Sequence, residues 1–208
     1  MRKKIALLVA FCVASTAFSA SGCNNETPGW GESLGTVSFS TDSVWTISGN
    51  GITQVWSDAV TATNCQKNAF NVGSHGNFNA DCRSHFGFSG DLFSRCAVVR
   101  FADQLCPYPW RVPTLQDFID LDIAMGGNGD NRDDTPAFVT ENYINRWGRA
   151  FGAGYVPNST LVVQGSWSFW SKSEHDGRVF RLNFNTAGYI GPQSWSVPRY
   201  GFALRCIR

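Results

Sequence analysis

The side chains in this sequence that could perform acid–base or nucleophilic chemistry are few and scattered. Two dipeptides, Ser84-His85 and His175-Asp176, place a histidine beside a possible partner. Neighbours in sequence do not make a catalytic triad, and no third member is visible for either pair. We therefore expect a protein that is not an enzyme. A hydrolase stays an open alternative, and the carboxylates that could supply its acid and base are Asp130, Asp133, Asp134 and Glu174.

The segment from Lys172 to Arg199 offers a different chemistry, that of ligand binding. Exposed Trp, Tyr and Arg side chains on a rigid frame are typical of binding hot spots. The predicted ligand-binding residues are His175, Asp176, Arg178, Arg181, Asn183, Tyr189, Gln193, Trp195 and Arg199. The aromatic residues of the neighbouring predicted strands are instead expected in the core: Trp167, Trp170, Phe180 and Phe184.

Neither a metal ion nor another cofactor is expected. Asn128, Asp130 and Asp134 could donate oxygen atoms to calcium, but their loop lacks the glycine position and the closing glutamate of an EF-hand. The cysteines do not show the close spacing of a zinc site, and the three histidines do not complete a ligand set.

The N-terminal residues predict export. Arg2, Lys3 and Lys4 precede an apolar run that is too short and too polar at its end to span a membrane, which indicates a signal peptide over residues 1–22. Ala20-Ser21-Gly22-Cys23 resembles a bacterial lipobox, so Cys23 is the predicted lipidation site and residues 23–34 a tether. Cleavage after Ala20 with an unmodified Cys23 is the alternative. The expected location is the bacterial outer membrane or cell surface.

The cysteines fit an oxidising compartment but leave their pairing open. Residues from about Thr61 to Leu92 form too long a connection without a local brace, such as a Cys65–Cys82 bridge. If Cys23 carries lipid, an odd number of cysteines is left, and Cys96 is the candidate for the unpaired thiol.

Charge and composition limit the class of partner. Removing the three basic residues of the leader from the total of 17 leaves 14, against 16 acidic residues, so no basic surface for nucleic acid is expected. With 8 Trp, 16 Phe and 21 Gly, the composition is typical of a loop-rich extracellular domain.

Hydrophobic periodicity and turn residues predict a mixed α and β chain. The predicted strands are Thr36–Ser40, Val44–Ser48, Ile52–Trp56, Ser166–Ser171, Val179–Phe184 and Gly201–Ile207. Gly49-Asn50-Gly51 is expected to form a turn between two of them. The predicted helices run from about Ser94 to Leu105, from Thr114 to a stop at Gly126-Gly127, and from about Glu141 to Phe151. Asp117 stands three residues after Thr114, as in a capping box.

Three motifs occur in an order that carries a family resemblance: CPYPWRVPT from Cys106 to Thr114, Trp170-Ser171 with Glu174, and GFALRCIR from Gly201 to Arg208. Together they resemble the Fibrobacter succinogenes major paralogous domain, an exported bacterial family related to C-type lectin-like and formylglycine-generating-enzyme-like folds. The resemblance implies an α+β, C-type lectin-like fold, with a twisted antiparallel sheet, two to three flanking helices and a Cys106–Cys206 disulfide. Residues 92–208 would be the family core, and residues 35–91 the N-terminal strands and an insertion of the same domain.

The resemblance also implies a function. In similar proteins the segment corresponding to 172–199 is a variable ligand-binding face, which retroelements diversify in some members. Calcium-dependent lectins use motifs such as EPN and WND, which are absent here, and formylglycine-generating enzymes need two reactive cysteines where this chain has Cys206. We therefore expect a surface lipoprotein that binds a protein or a glycan. The alternative is a structural or tip subunit of a surface adhesin or pilus.

Overall fold

Antiparallel strand pairing dominates the computed structural model of this chain, which describes residues 34–63, 65–67, 82–84, 90–147, 154–155, 166–196 and 200–208. Its strands are β1 Val37–Ser38, β2 Trp45–Gly49, β3 Ile52–Ala59, β4 Thr61–Ala62, β5 Gln66–Lys67, β6 Cys82–Ser84, β7 Leu92–Ser94, β8 Arg132–Asp133, β9 Gly154–Tyr155, β10 Ser166–His175, β11 Arg178–Asn185, β12 Tyr189–Ser196, β13 Gly201–Phe202 and β14 Arg205–Ile207. The helices are α1 Arg95–Arg100, α2 Ala102–Leu105, α3 Leu115–Ala124, α4 Pro136–Val139 and a π-helix, Thr140–Arg146. The expected mixed α and β class with mostly antiparallel sheets is confirmed.

A four-stranded sheet is formed by a meander of β10, β11 and β12, with β8 on its outer edge. Strand β12 lies where the sequence predicts no strand. Its signal is weak because it contains Gly191 and Pro192, which strands disfavour. A bulge accommodates the proline: Arg181 pairs with Ser194 and Asn183 with Gly191, so two residues of β12 stand opposite one residue of β11.

The first hairpin, β2–β3, forms where the turn residues predicted it. Gly49 pairs with Ile52, which leaves Asn50 and Gly51 as a two-residue turn. Both have positive φ, 51° and 79°, the backbone that Asn-Gly favours in tight hairpins. This turn is pinned to α3, because the Asn50 side-chain amide donates to the Ile123 carbonyl at 2.7 Å.

Helix α3 begins with the predicted capping box. The Thr114 hydroxyl accepts from the Asp117 backbone N–H, and the Asp117 carboxylate accepts from the Thr114 backbone N–H. Gly126, with φ of 100°, follows the helix and ends it where the sequence indicated.

The other two predicted helices differ from expectation in their bounds. The first is divided into α1 and α2, because Phe101 has φ of −112° and leaves the helical region. The third begins earlier than predicted, at Pro136, where the Thr135 hydroxyl accepts from the Phe138 N–H. It continues as a π-helix to Arg146, and the predicted end at Phe151 lies outside the described residues.

Two aromatic clusters form the core. The first lies between α3, the hairpin β2–β3 and one face of the meander, where Trp56 stacks on Phe118 and meets Trp147 edge-on. The second surrounds Cys106 and Cys206, whose disulfide confirms the bridge implied by the resemblance. Backbone hydrogen bonds between Arg111 and Ile207 run beside it in both directions. The last strand is therefore fixed to the middle of the chain.

The remaining cysteine predictions have mixed outcomes. Cys65 and Cys96 are both disulfide-bonded, so the expectation of a free thiol at Cys96 is wrong. The Cys65–Cys82 pairing depends on the Cys82 side chain, which lies outside the described part of the structure, as do the predicted signal peptide and Cys23. Among the described residues, no helix is long and apolar enough to cross a membrane.

Candidate ligand-binding surface

Strand alternation along β11 separates the predicted binding residues into two faces of the meander. Arg178 and Phe180 lie on the face that continues into the first core cluster through Leu182. Arg181 and Asn183 lie on the opposite face. The nine residues therefore do not form one site, and Arg199 lies outside the described residues.

The exposed end of the first face presents an aromatic and cationic patch, which we call the Trp195 surface: Arg178, Phe180 and Trp195. Trp195 pairs across the strands with Phe180 and is 53% exposed. The Arg178 guanidinium lies 5.0 Å from the centre of the Trp195 ring. At this distance the cation is attracted to the face of the indole, which holds both side chains in place.

The sheet end that carries this surface is tied to the rest of the fold. The Lys172 N–H donates to the Pro113 carbonyl at 2.7 Å, and the Leu115 N–H donates to the Ser173 hydroxyl at 2.9 Å. Buried Arg95 donates to the Lys172 carbonyl and lies 3.8 Å from a Glu174 carboxylate oxygen. These contacts hold the irregular part of β10, where its pairing with β11 shifts between Trp170 and Glu174.

Arg95 carries its charge at a cost in solvation. Burial lowers the pKa of its guanidinium to about 10, and the nearby Glu174 carboxylate acts in the opposite direction. The arginine stays protonated at neutral pH, so it can hold both the strand and the carboxylate. Glu174 is thus part of the frame beside the hairpin.

His175 is the last residue of β10, and Asp176 begins the turn that leads into β11. Asp176 and Gly177 have positive φ, 49° and 72°, as in a two-residue hairpin turn. The His175 Nε2 atom lies 3.2 Å from Asp176 Oδ2, with the two side chains 78% and 83% exposed. Both side chains are available to a partner at the edge of the Trp195 surface.

Gln193 binds the protein's own loop. Its side-chain amide donates to the Gly129 carbonyl at 2.8 Å, and its backbone N–H donates to the Asn131 side chain at 2.9 Å. These bonds join the bulge of β12 to the loop after α3. The geometry therefore gives Gln193 a role in positioning the strand.

The acidic loop considered for calcium is organised by an arginine. Arg132 donates to the buried Asp122 carboxylate at 2.7 Å and to Asp134 at 3.2 Å. Tyr143 also donates to Asp122, at 2.6 Å, and burial together with this carboxylate raises its pKa well above the usual value. Among the described residues there is no group of three His, Cys, Asp or Glu that could hold a metal ion.

The opposite face of the meander gathers polar groups around Arg181. The guanidinium donates to the Ser168 hydroxyl and lies 4.7 Å from the centre of the Phe202 ring. Tyr189 shares a hydrogen bond of 3.1 Å with Ser194 on the same face. Sequence reasoning identified Arg181, Asn183 and Tyr189 but missed the serines, which strand pairing places beside them.

The core assignments made from sequence hold for two of the four aromatic residues. Trp170 and Phe184 are buried, as expected. Phe180 and Trp167 are half-buried, although Trp167 packs against the first core cluster and stacks on Phe184. Phe180 therefore belongs to the Trp195 surface. Its position there could not be predicted, because it depends on the pairing of β11 with β12.

Compared with protein-family models, curated proteins and solved structures, the chain matches none.

Proposed function

We propose that this protein is an exported, lipid-anchored surface protein that binds a protein or glycan ligand through the Trp195 surface. The observation that carries the proposal is the half-exposed Trp195, held under Arg178 at the end of a braced sheet. Large exposed aromatic side chains are uncommon among the described residues. In addition, Trp and Arg are residue types that are enriched at binding hot spots.

The rigidity of this surface favours affinity. Trp195 and Phe180 stand on paired strands, and hydrogen bonds from Lys172 and Leu115 fix the neighbouring end of β10. A ligand that docks here does not need to order a loop, so less conformational entropy is lost on binding. The exposed side chains of His175 and Asp176 can extend the contact with polar groups.

The proposal includes a C-type lectin-like fold for residues 35–208. It is supported by an antiparallel meander, by a capped helix packed on it, and by the Cys106–Cys206 bridge that joins the last strand to the middle of the chain. Attachment through a lipid on Cys23 is supported by the lipobox-like residues that precede it. The ligand would then be met outside the cell.

The test is binding of the purified full chain to arrays of glycans and cell-surface proteins, with Trp195→Ala alongside. We expect the variant to lose at least about tenfold in affinity, since a hot-spot tryptophan contributes about 2 kcal/mol or more. Tyr108→Ala is the matched control, because Tyr108 is an aromatic side chain that is 96% exposed in a different part of the fold. It should bind as the wild type does.

Equal loss in the Tyr108 and Trp195 variants, or retained binding in Trp195→Ala, would contradict the assignment to the Trp195 surface. An absence of binding on both arrays, together with cross-linking of the wild type to its neighbours on whole cells, would favour the structural or tip-subunit role instead.

A further inference from the structure

Strand pairing places a row of hydroxyl, amide and guanidinium groups on the face of the meander opposite Trp195. Residues that pair across antiparallel strands share a face, and Arg181 pairs with Ser194 while Asn183 pairs with Ser168 and Gly191. We call this set the Arg181 row: Ser166, Ser168, Arg181, Asn183, Tyr189 and Ser194. Arg181, Asn183, Ser166 and Tyr189 are half-buried, so the row is partly open to solvent.

Arg181 brings a positive charge that its surroundings do not balance. Among the described residues no carboxylate forms an ion pair with it, and its Nε atom is buried without a hydrogen-bond partner. One side of the guanidinium is covered by the Phe202 ring. Burial lowers its pKa to about 10, and the phenols of Tyr189 and Tyr200 are the groups that act in the opposite direction. The group is therefore cationic at neutral pH.

The hydroxyl groups around Arg181 are held in place by one another. Ser168 donates to the Asn183 side-chain oxygen at 3.1 Å, and the Tyr189 and Ser194 hydroxyls lie 3.1 Å apart. Gly191 makes the second contact possible, because a Cβ atom there would lie 2.1 Å from the Ser194 hydroxyl and 2.7 Å from the Tyr189 hydroxyl. The space above the strand is thus kept for polar groups.

These features indicate the chemistry of a ligand. A guanidinium without a counter-ion matches a carboxylate, to which it can donate a charge-assisted hydrogen bond. Hydroxyl and amide groups on both sides can donate to and accept from the hydroxyls of a sugar. A single arginine in a nearly neutral chain does not fit a polyanion.

We propose that the Arg181 row is a second binding site, which takes the carboxylate of an acidic saccharide on Arg181 and its hydroxyls on the flanking Ser, Asn and Tyr side chains. The site lies on the opposite face of the sheet from the Trp195 surface. This proposal can therefore be tested and rejected independently of the function proposed above.

The test is titration of the purified full chain with D-glucuronate, D-glucose and acetate, followed by NMR or calorimetry. We expect glucuronate to bind at least about tenfold more tightly than either glucose or acetate. Glucose lacks the carboxylate that Arg181 would bind, and acetate lacks the sugar hydroxyls. Arg181→Lys keeps the charge but loses the planar fork and should weaken glucuronate binding at least about tenfold. Arg208→Lys is the matched control and should not change it, because Arg208 is an exposed arginine that lies over Trp110, outside both proposed binding surfaces.

Asn183→Ala provides a second variant if Arg181→Lys does not fold, and it should weaken glucuronate and leave acetate unchanged. The proposal is overturned if glucuronate does not bind or binds no better than glucose. Acetate that binds as tightly as glucuronate would show a simple anion site and would overturn the saccharide assignment. Loss of binding in Arg208→Lys with retention in Arg181→Lys would place the site elsewhere and overturn the proposal.

Discussion

Two regions of this protein use the same residue types, tryptophan and arginine, in opposite surroundings. In the clamp, formed by the Cys106–Cys206 bridge and β14, Arg205 is fully buried and its guanidinium lies 4.5 Å from the centre of the Trp147 ring. At the Trp195 surface, Arg178 is exposed and lies 5.0 Å from the centre of an exposed ring. Similar cation–aromatic contacts therefore serve to fix a core in one place and to present a surface in the other.

The difference lies in what surrounds the arginine. Arg205 donates to the carbonyls of Ser57 and Trp147, so its guanidinium binds the backbone of two other segments. Arg178 lies at the exposed start of β11 and is free to meet solvent or a partner. The comparison predicts large losses of stability from changes in the clamp and small ones from changes at the Trp195 surface.

The largest effect is expected from removing the clamp's disulfide. Cys106→Ala combined with Cys206→Ala frees a loop closed over a sequence separation of 100 residues. The free energy of unfolding should fall by about 4 kcal/mol, because the denatured chain gains the entropy that the bridge removed. Urea unfolding followed by tryptophan fluorescence measures this loss. A change below about 1 kcal/mol would show that packing around β14 holds the clamp without the bridge.

Arg205→Met should have the next largest effect. Methionine fills a similar volume, so the main loss is that of the donors to the Ser57 and Trp147 carbonyls, at a cost of about 2 kcal/mol. Arg208→Met is the control, since Arg208 is exposed and covers the Trp110 ring, and it should change stability by less than about 0.5 kcal/mol. An Arg205→Met variant as stable as the wild type would show that the burial of this charge costs as much as its hydrogen bonds contribute.

Sequence reasoning succeeded where a local rule determines the structure. The Asn50-Gly51 turn and the Thr114–Asp117 capping box were both predicted, because each depends on a few neighbouring residues. Strand β12 was missed, since Pro192 is tolerated through a bulge that pairing with β11 creates. Local preferences do not contain that information.

The candidate site was harder to predict because it depends on which way each side chain points. Arg178 and Arg181 were grouped together by their closeness in sequence, but strand alternation sends them to opposite faces of the sheet. The role of Gln193 could not be predicted either, because its partner Gly129 lies in a loop more than sixty residues away.

A moderate effect is expected at Asp117, which joins the clamp to α3. Burial alone would raise its pKa, but hydrogen bonds from Arg111 and Thr114 lower it below the usual value. Because the folded pKa lies below the unfolded one, its contribution is present above about pH 4 and is lost as the pH falls through the folded value. Asp117→Asn should cost about 1 to 2 kcal/mol at pH 7, and less in acid.

Unfolding by urea at several pH values measures this dependence. Asp120→Asn is the control on the same helix, where the carboxylate accepts from Gln116 at the surface, and it should cost less than about 0.5 kcal/mol. A loss for Asp117→Asn that is the same at pH 7 and at pH 2 would show that its charge does not matter and that it acts through shape alone.

The smallest effect on stability is expected at the Trp195 surface itself. Trp195→Ala removes the contact with Arg178 and the cross-strand pair with Phe180, each of which contributes about 0.5 kcal/mol at an exposed site. Its free energy of unfolding should therefore fall by less than about 1 kcal/mol while ligand capture is lost. A loss of stability close to that of the clamp variants would show that the indole supports the sheet. The two regions would then differ in exposure but not in role.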